Sequence, residues 1–248
     1  APGFNRTDGA FQSLGAAQGT HKDPASFIPA SKYPAIHQAA VNTCDAIDGL
    51  KDGLITDPTK CQFDPGVLAC TGADGPSCLT PPQVVAARRI YAPVIDPKTG
   101  KEVFAGLEHG SEMHWAAISG KQPHSMYHDL ARFIVFQDPN WDFRTLDVGK
   151  HLELARKADS GVLAATSTDL KPFVGRGGKL LIYHGWEDQN ISPRMSVDYY
   201  KQVVDTMGKD VDGSVRLFMV PGMGHCGGGA GPKEFDMVAA LEQWREKG

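Results

Sequence analysis

In GGKLLIYHG, residues 177–185, a short apolar run is closed by glycine. Such a run predicts a buried parallel strand. A second run, VRLFMV at 215–220, ends at Pro221 and Gly222 and predicts another. A helix is expected over 192–207, with Ser192 as N-cap and Pro193 first. An amphipathic helix is expected over 233–246. Strand, helix, strand and helix in this order predict an α/β fold with a parallel sheet covered by helices.

This unit is too small to form a sheet by itself. Parallel sheets are normally buried on both faces and contain more than two strands. Residues 173–248 are therefore interpreted as the C-terminal part of a larger core. Its other strands are expected upstream of Ala1, in another chain, or among strands that the pattern does not reveal.

Residues 1–172 have a different character, with frequent proline and glycine between short helical patterns. Helices are predicted over 34–41 and 81–91, the second with Thr80 as N-cap and Pro81 first. Residues 96–101 predict the turn of a small hairpin, and residues 125–136 have apolar side chains at helical spacing. This region is expected to be a mixed, loop-rich domain.

Composition excludes several classes of function. The chain has 248 residues, 41% hydrophobic and 22% charged, with a net charge of -4. Nothing in that balance indicates a nucleic-acid partner or an anionic membrane surface. No apolar run approaches the roughly 18 residues that a membrane span needs. We expect neither nucleic acid nor membrane as a partner.

Five cysteines bear on the compartment: Cys44, Cys61, Cys70, Cys78 and Cys226. Disulfides joining Cys44 to Cys61 and Cys70 to Cys78 are the simplest pairing. The alternative is four reduced, buried cysteines in a cytosolic protein. The polar loops between them favour disulfides, and hence a secreted or periplasmic protein. The odd Cys226 indicates a partner outside this chain.

An acidic loop, CDAIDGLKDGLITD at 44–57, resembles the first half of an EF-hand calcium loop. With Asp48 at position one, Asp52 is fifth, the turn glycine Gly53 sixth, and Leu54 supplies a carbonyl at seven. Leu50 at position three offers only its carbonyl, and Asp45 could replace the missing carboxylate. The loop predicts a structural Ca²⁺ site; the alternative is a polar turn with solvated aspartates.

Two polar residues follow the two predicted parallel strands. Asp188 comes shortly after the first strand and His225 shortly after the second. Functional groups gather at the carboxyl ends of such strands, and acid before base is the order of the α/β-hydrolase triad. Asp188 would orient the imidazole, and His225 would take a proton from a serine hydroxyl. Glu187 competes with Asp188 for the role of the acid.

A nucleophile is not evident in the sequence. No serine lies in a Gly-x-Ser-x-Gly motif, and the backbone donors of an oxyanion hole normally accompany that turn. The chain therefore carries an acid and a base without a recognisable group for them to activate.

These motifs resemble the tannase and feruloyl esterase family, which includes hydrolases of terephthalate monoesters. The most specific matches are CDAIDGLKDG at 44–53, Cys61, Cys70 and Cys78, then GWED at 185–188 and GMGHC at 222–226. The resemblance implies an α/β-hydrolase core interrupted by a large calcium-binding lid. Residues 1–4 would be the end of a core segment, residues up to 172 the lid, and residues 173–248 the return to the core.

The resemblance also implies the roles of individual residues. Calcium would be held by Asp45, Asp48 and Asp52 and by the carbonyls of Leu50 and Leu54. Asp188 would be the acid and His225 the base. The family's nucleophile lies in a Gly-Cys-Ser-x-Gly-Gly segment, whose cysteine would pair with Cys226. That segment is absent from this sequence and could lie in a missing N-terminal half.

Family members cleave esters of aromatic acids, so the expected reaction is hydrolysis of feruloyl, galloyl or terephthaloyl esters. Aromatic residues in the expected lid could stack on such a ring, namely Trp115, Phe133, Phe136, Trp141 and Phe143. A non-catalytic, calcium-stabilised binding module derived from such an esterase is the alternative function.

Overall fold

The computed structural model describes residues 2–225 and 227–248, with only the backbone of Lys209 and Asp210. Cys226 and Ala1 lie outside the described residues. The helices are α1 (Arg6–His21), α2 (Tyr33–Cys44), α3 (Pro81–Tyr91), α4 (Ala116–Ser119), α5 (Ser125–Asp129), α6 (Val148–Asp159), α7 (Lys171–Val174), α8 (Arg194–Met207) and α9 (Met237–Lys247). The strands are β1 (Val94–Ile95), β2 (Glu102–Phe104), β3 (Leu180–Gly185) and β4 (Val215–Val220).

The predicted parallel pair is present near the C-terminus. Strands β3 and β4 run parallel in register from Leu180 opposite Val215 to Gly185 opposite Val220. Helix α8 connects them, and its residues Tyr199 and Val203 share a buried apolar cluster with Ile182. The mixed α/β class predicted from the sequence is confirmed, and the carboxyl ends of the two strands lie side by side.

Both helices of this unit begin later than predicted. Helix α8 begins at Arg194 with Pro193 as N-cap, and the buried hydroxyl of Ser192 has no hydrogen-bond partner among the described residues. Ser192 is therefore not the cap. Helix α9 begins at Met237 because the Asp236 side chain accepts a hydrogen bond from the backbone N–H of Ala239 at 2.8 Å.

Helix α1 is the centre of the larger, N-terminal region, although its sequence does not show an amphipathic pattern. Asn5 caps it by accepting hydrogen bonds from the N–H groups of Thr7 and Asp8. The helix packs against α3, α4 and α6. A β-carbon at Gly19 would lie 2.6 Å from Cγ of Arg89, so glycine lets α3 approach closely.

The other predictions for this region agree closely with the structure. Helix α3 spans the predicted residues, and the backbone N–H of Thr80 donates to Oε1 of Gln83 at 3.0 Å. Strands β1 and β2 form the small antiparallel hairpin. Helix α5 continues into a π-helical segment, Leu130–Val135.

Both predicted disulfides are present. Cys44 is bonded to Cys61 with a Cα–Cα distance of 5.3 Å, and Cys70 to Cys78 with 4.9 Å. The first closes the acidic loop and joins the end of α2 to it. Within the described residues, none of the helices is both long and apolar enough to traverse a bilayer.

Candidate active site

The site is built where β3 and β4 end together. Asp188 follows β3 by three residues, and His225 follows β4 by five. Gly185 is needed at this point because a β-carbon there would lie 2.0 Å from the carbonyl oxygen of Met223. The same carbonyl accepts a hydrogen bond from the N–H of Glu187 at 3.0 Å. Close backbone contact thus brings the two loops together.

The structure pairs Asp188 with His225. Oδ2 of Asp188 lies 2.8 Å from Nδ1 of His225, and Oδ1 accepts hydrogen bonds from the backbone N–H groups of Asn190 and Ile191 at 2.8 and 2.9 Å. Burial acts to raise the pKa of Asp188, but hydrogen bonds from His184, His225 and Ile191 outweigh it and hold the pKa at about 2. The group is a carboxylate at neutral pH.

His225 is oriented by this carboxylate. Its hydrogen bond to Asp188 raises its pKa, and burial opposes that effect only in part. Its side chain is 34% exposed, and no described residue forms a hydrogen bond with Nε2. An imidazole that donates from Nδ1 to a carboxylate has its Nε2 lone pair available to accept a proton.

A second histidine contacts the same carboxylate. Nε2 of His184, in strand β3, lies 3.0 Å from Oδ2 of Asp188. Its Nδ1 lies 2.7 Å from Oγ of Ser196 in α8. No sequence pattern gives either residue a role, and the four-residue spacing from His184 to Asp188 is the signal that could have found His184.

Glu187, the competing acid, occupies a different environment. Its carboxyl group lies against two glycines, because a β-carbon at Gly110 or Gly229 would come within 3.4 or 3.2 Å of its oxygens. Burial raises its pKa to about 7, nearby His37 lowers it in part, and Glu112 raises it. The carboxylate that contacts His225 is that of Asp188.

The environment of Glu187 is a buried polar cluster from the N-terminal region. Glu112 is fully buried and accepts hydrogen bonds from the Gly110 N–H and the Tyr91 hydroxyl. His37 lies 3.0 Å from the same carboxylate, and that hydrogen bond raises its pKa. Sequence patterns did not reveal this cluster, because its members are far apart in the chain.

The N-terminal region also contacts the acid loop directly. The hydroxyl of Tyr127 donates to the carbonyl oxygen of Asn190 at 3.1 Å. His124 lies next to Tyr127, with ring centroids 5.0 Å apart. Burial lowers the pKa of His124, and nearby His225 lowers it further. In its neutral form, His124 can donate a hydrogen bond from one ring nitrogen and accept one at the other.

The acidic loop offers oxygen ligands without a cationic side chain to neutralise them. Among the described residues, no Lys, Arg or His forms an ion pair with Asp45, Asp48 or Asp52, and no N–H donates to the carbonyls of Leu50 or Leu54. Asp45 accepts hydrogen bonds from the N–H groups of Asp52 and Gly53, each at 3.1 Å. This donor set fits a hard cation such as Ca²⁺.

The carboxylates of the acidic loop are too far apart to coordinate one ion as they stand. Within the described residues, the oxygens of the three carboxylates do not all lie within 4.8 Å of one another. They would have to draw together around an ion. The loop is also in contact with the site, because a β-carbon at Gly222 would lie 2.6 Å from Cδ2 of Leu54.

The five candidate aromatic residues are in different surroundings. Trp115 and Phe143 are buried at 0% and 4% exposure, so they belong to the core. Phe136 stacks on Trp141 with centroids 4.5 Å apart. Phe133 is 53% exposed, and the guanidinium of Arg132 lies 5.1 Å from its ring centroid.

A carboxylate-held imidazole at the ends of two parallel strands defines a class of protein: α/β proteins that can carry out acid–base chemistry at that edge. The model of the tannase and feruloyl esterase family matches residues 1–248. The chain belongs to this family.

Individual relatives agree with the family assignment. An uncharacterized esterase of Xanthomonas campestris pv. campestris is 34% identical over 100% of this chain and 51% of its own length. Probable feruloyl esterase B-2 of Aspergillus terreus is 34% identical over 90% of this chain and 46% of its own length. The chain spans about half the length of these relatives.

Solved structures show the same fold. The crystal structure of feruloyl esterase B from Aspergillus oryzae matches with a TM-score of 0.88 and 29% identity, over 100% of this chain and 53% of that one. Tannin acyl hydrolase from Aspergillus niger matches with a TM-score of 0.70 at 19% identity, over 94% of this chain and 50% of that one. The latter likeness concerns the fold alone.

Proposed function

We propose that this chain is the C-terminal portion of a serine carboxylic ester hydrolase that acts on esters of aromatic acids. The observation that supports it best is the 2.8 Å contact between Oδ2 of Asp188 and Nδ1 of His225, in a chain of the tannase and feruloyl esterase family. The serine and the oxyanion donors would lie outside this chain, because no serine here lies in a Gly-x-Ser-x-Gly motif.

The reaction proceeds by acyl transfer in two steps. Nε2 of His225 takes the proton of the serine hydroxyl as its oxygen attacks the ester carbonyl, and Asp188 stabilises the imidazolium. The imidazolium then gives its proton to the leaving alcohol, which leaves an acyl-serine. His225 next takes a proton from water, whose oxygen attacks the acyl group, and returns it to serine as the acid is released.

The aromatic acid is proposed from the names of relatives, several of which are called probable feruloyl esterases. Of the five candidate aromatic residues, Phe133 has an exposed ring and Phe136 stacks on Trp141, so these are the candidates outside the core that could contact an acyl ring. Galloyl and terephthaloyl esters also have an aromatic ring on the acid side of the ester bond, so they belong to the same proposed substrate class.

The same proposal includes a structural Ca²⁺ ion. The carboxylates of Asp45, Asp48 and Asp52 and the carbonyls of Leu50 and Leu54 would hold it. The ion would stiffen the acidic loop that the Cys44–Cys61 disulfide closes. Because Leu54 packs against Gly222, this would support the loop that carries His225.

We further propose a secreted or periplasmic location, since two disulfides require an oxidising compartment. Cys226, which lies outside the described residues, would pair with a cysteine of the serine-bearing half. A larger species under non-reducing conditions that releases this 26.7 kDa chain on reduction would support that pairing.

The test is hydrolysis of methyl ferulate, methyl benzoate and methyl butyrate by a polypeptide that joins this chain to a serine-bearing N-terminal half. We expect kcat/KM to be highest for the aromatic acids and to disappear in His225→Ala. Preference for the butyrate would overturn the substrate class. Binding of ferulate without turnover, by a folded joined protein, would instead favour the non-catalytic binding module.

A further inference from the structure

The carboxylate of Asp188 is shared between two imidazoles at a single oxygen. Oδ2 lies 2.8 Å from Nδ1 of His225 and 3.0 Å from Nε2 of His184. Oδ1 accepts the N–H groups of Asn190 and Ile191. All four acceptor positions of the carboxylate are therefore in use.

The protons at this site can be assigned by elimination. Asp188 is ionised at neutral pH and can only accept, so both imidazoles must donate to it. His184 therefore carries its proton on Nε2. Its Nδ1 is then an acceptor when the ring is neutral, and the hydroxyl of Ser196, at 2.7 Å, is the donor that faces it. Ser196 itself is 2% exposed, so water has little access to this contact.

We propose that His184 is a positioning residue for the reaction: Asp188 and Ser196 together hold it as the Nε2–H tautomer, and it orients the carboxylate of Asp188 toward His225. This inference rests on the proposed function. The chain of contacts runs from the hydroxyl of Ser196 in α8, through the imidazole of His184 at the end of β3, to the oxygen that also binds His225. Ser196, His184 and Asp188 are each at most 10% exposed, and His225 is the exposed end of this chain of contacts.

The arrangement has two physical consequences. The His184 donor prevents Asp188 from rotating away from His225, because a buried carboxylate oxygen would lose a hydrogen bond. It also withdraws charge from the oxygen that His225 uses, which lowers the proton affinity of His225 relative to an unshared carboxylate. Loss of the His184 donor should therefore raise the pKa of His225 and loosen its orientation.

The first experiment needs no substrate. Long-range ¹H–¹⁵N correlation spectra of the histidine-labelled chain at pH 8 distinguish protonated from unprotonated ring nitrogens. We expect Nε2 of His184 to be protonated and Nδ1 to be unprotonated. In Ser196→Ala, Nε2 should keep its proton because Asp188 still accepts from it, and the ¹⁵N resonance of Nδ1 should shift because that nitrogen loses its hydrogen-bond donor. A proton on Nδ1 alone, or on both nitrogens, would overturn the inference.

The second experiment titrates His225 in variants of His184. We expect His184→Leu to raise the pKa of His225 by about half a unit or more. His184→Gln, whose amide can still donate to Asp188, should restore a value close to wild type. Equal His225 titration in wild type and His184→Leu would contradict the proposal. If the leucine variant does not fold, the tautomer spectrum of the wild-type chain still decides.

Turnover measurements distinguish a failure of the His184 proposal from a failure of the proposed function. In the joined, serine-bearing enzyme, His184→Leu should lower kcat about tenfold or more with little change in KM, and His184→Gln should recover most of it. If Asp188→Asn abolishes turnover while His184→Leu does not change it, the positioning role is wrong and the function stands. If Asp188→Asn retains full turnover, the proposed function fails.

Discussion

The guanidinium of Arg194, the first residue of α8, forms two hydrogen bonds with the buried carboxylate of Glu108, at 2.9 and 3.1 Å. Burial raises the pKa of Glu108, and Arg194 lowers it in part. The pair joins the N-terminal region to helix α8, which begins six residues after Asp188.

Arg194→Ala should therefore destabilise the protein by about 1–2 kcal/mol, because it leaves the buried Glu108 carboxylate without its cation; solvent at the 39% exposed Arg194 side chain makes the loss smaller than for a fully buried pair. Denaturant unfolding at pH 7 measures this. Arg176→Ala, an exposed arginine with no side-chain hydrogen bond among the described residues, is the matched control. A double variant with Glu108→Gln should recover part of the loss, and no recovery would contradict the assignment of this pair.

Glu187→Gln should change how stability depends on pH. Because the pKa of Glu187 is raised to about 7, the folded state binds its proton more tightly than the unfolded state. The stability of the wild type should consequently fall between about pH 4.5 and 7 and then level off. The glutamine variant should gain up to about 3 kcal/mol over wild type between pH 5 and 8.

Unfolding free energies of both proteins at pH 5, 6, 7 and 8 check this prediction. Glu153→Gln, at an exposed position in α6, is the control and should follow the wild type. Parallel curves for Glu187→Gln and wild type would show that the folded protein leaves this carboxyl group solvated.

Asp52→Asn tests the calcium proposal. We expect a lower Tm than wild type in millimolar Ca²⁺, because a carboxylate ligand is lost, and equal Tm values in excess chelator. Asp205→Asn, an exposed aspartate of α8, is the control and should match wild type in both conditions. If the Tm of the wild type does not change when Ca²⁺ is added, the proposal of a structural Ca²⁺ ion is wrong.

The disulfides can be tested by mapping peptides of unreduced protein. Cys44 should be recovered with Cys61, and Cys70 with Cys78. Replacing Cys44 and Cys61 together by alanine should cost about 3 kcal/mol of stability, since a 17-residue separation no longer constrains the unfolded chain. Four alkylated thiols in unreduced, denatured protein would contradict the pairing and the oxidising compartment together.

Short sequence patterns were sufficient to predict the elements whose start or end is determined by neighbouring residues. The apolar runs closed by Gly185 and Pro221 predicted both parallel strands, and residues after strand ends predicted the meeting of Asp188 and His225. Thr80 and Pro81 predicted the start of α3 because a cap and a proline at N1 are local requirements.

Features that depend on distant contacts were not predictable. Helix α1 buries small and polar residues such as Ser13, so its sequence has no apolar stripe to detect. Glu112 and His37 meet across 75 positions. The contact between His184 and Ser196 depends on how α8 packs across the end of β3, which no spacing rule contains.

Turnover of methyl ferulate should be compared between two versions of the joined, serine-bearing protein, one carrying Asp188→Asn and the other Asp205→Asn. Asparagine at 188 cannot stabilise the imidazolium of His225, so kcat should fall by about 10⁴, while the same substitution at the exposed Asp205 should leave kcat unchanged. Substantial turnover by a folded Asp188→Asn protein would contradict the claim that this carboxylate and His225 perform the chemistry.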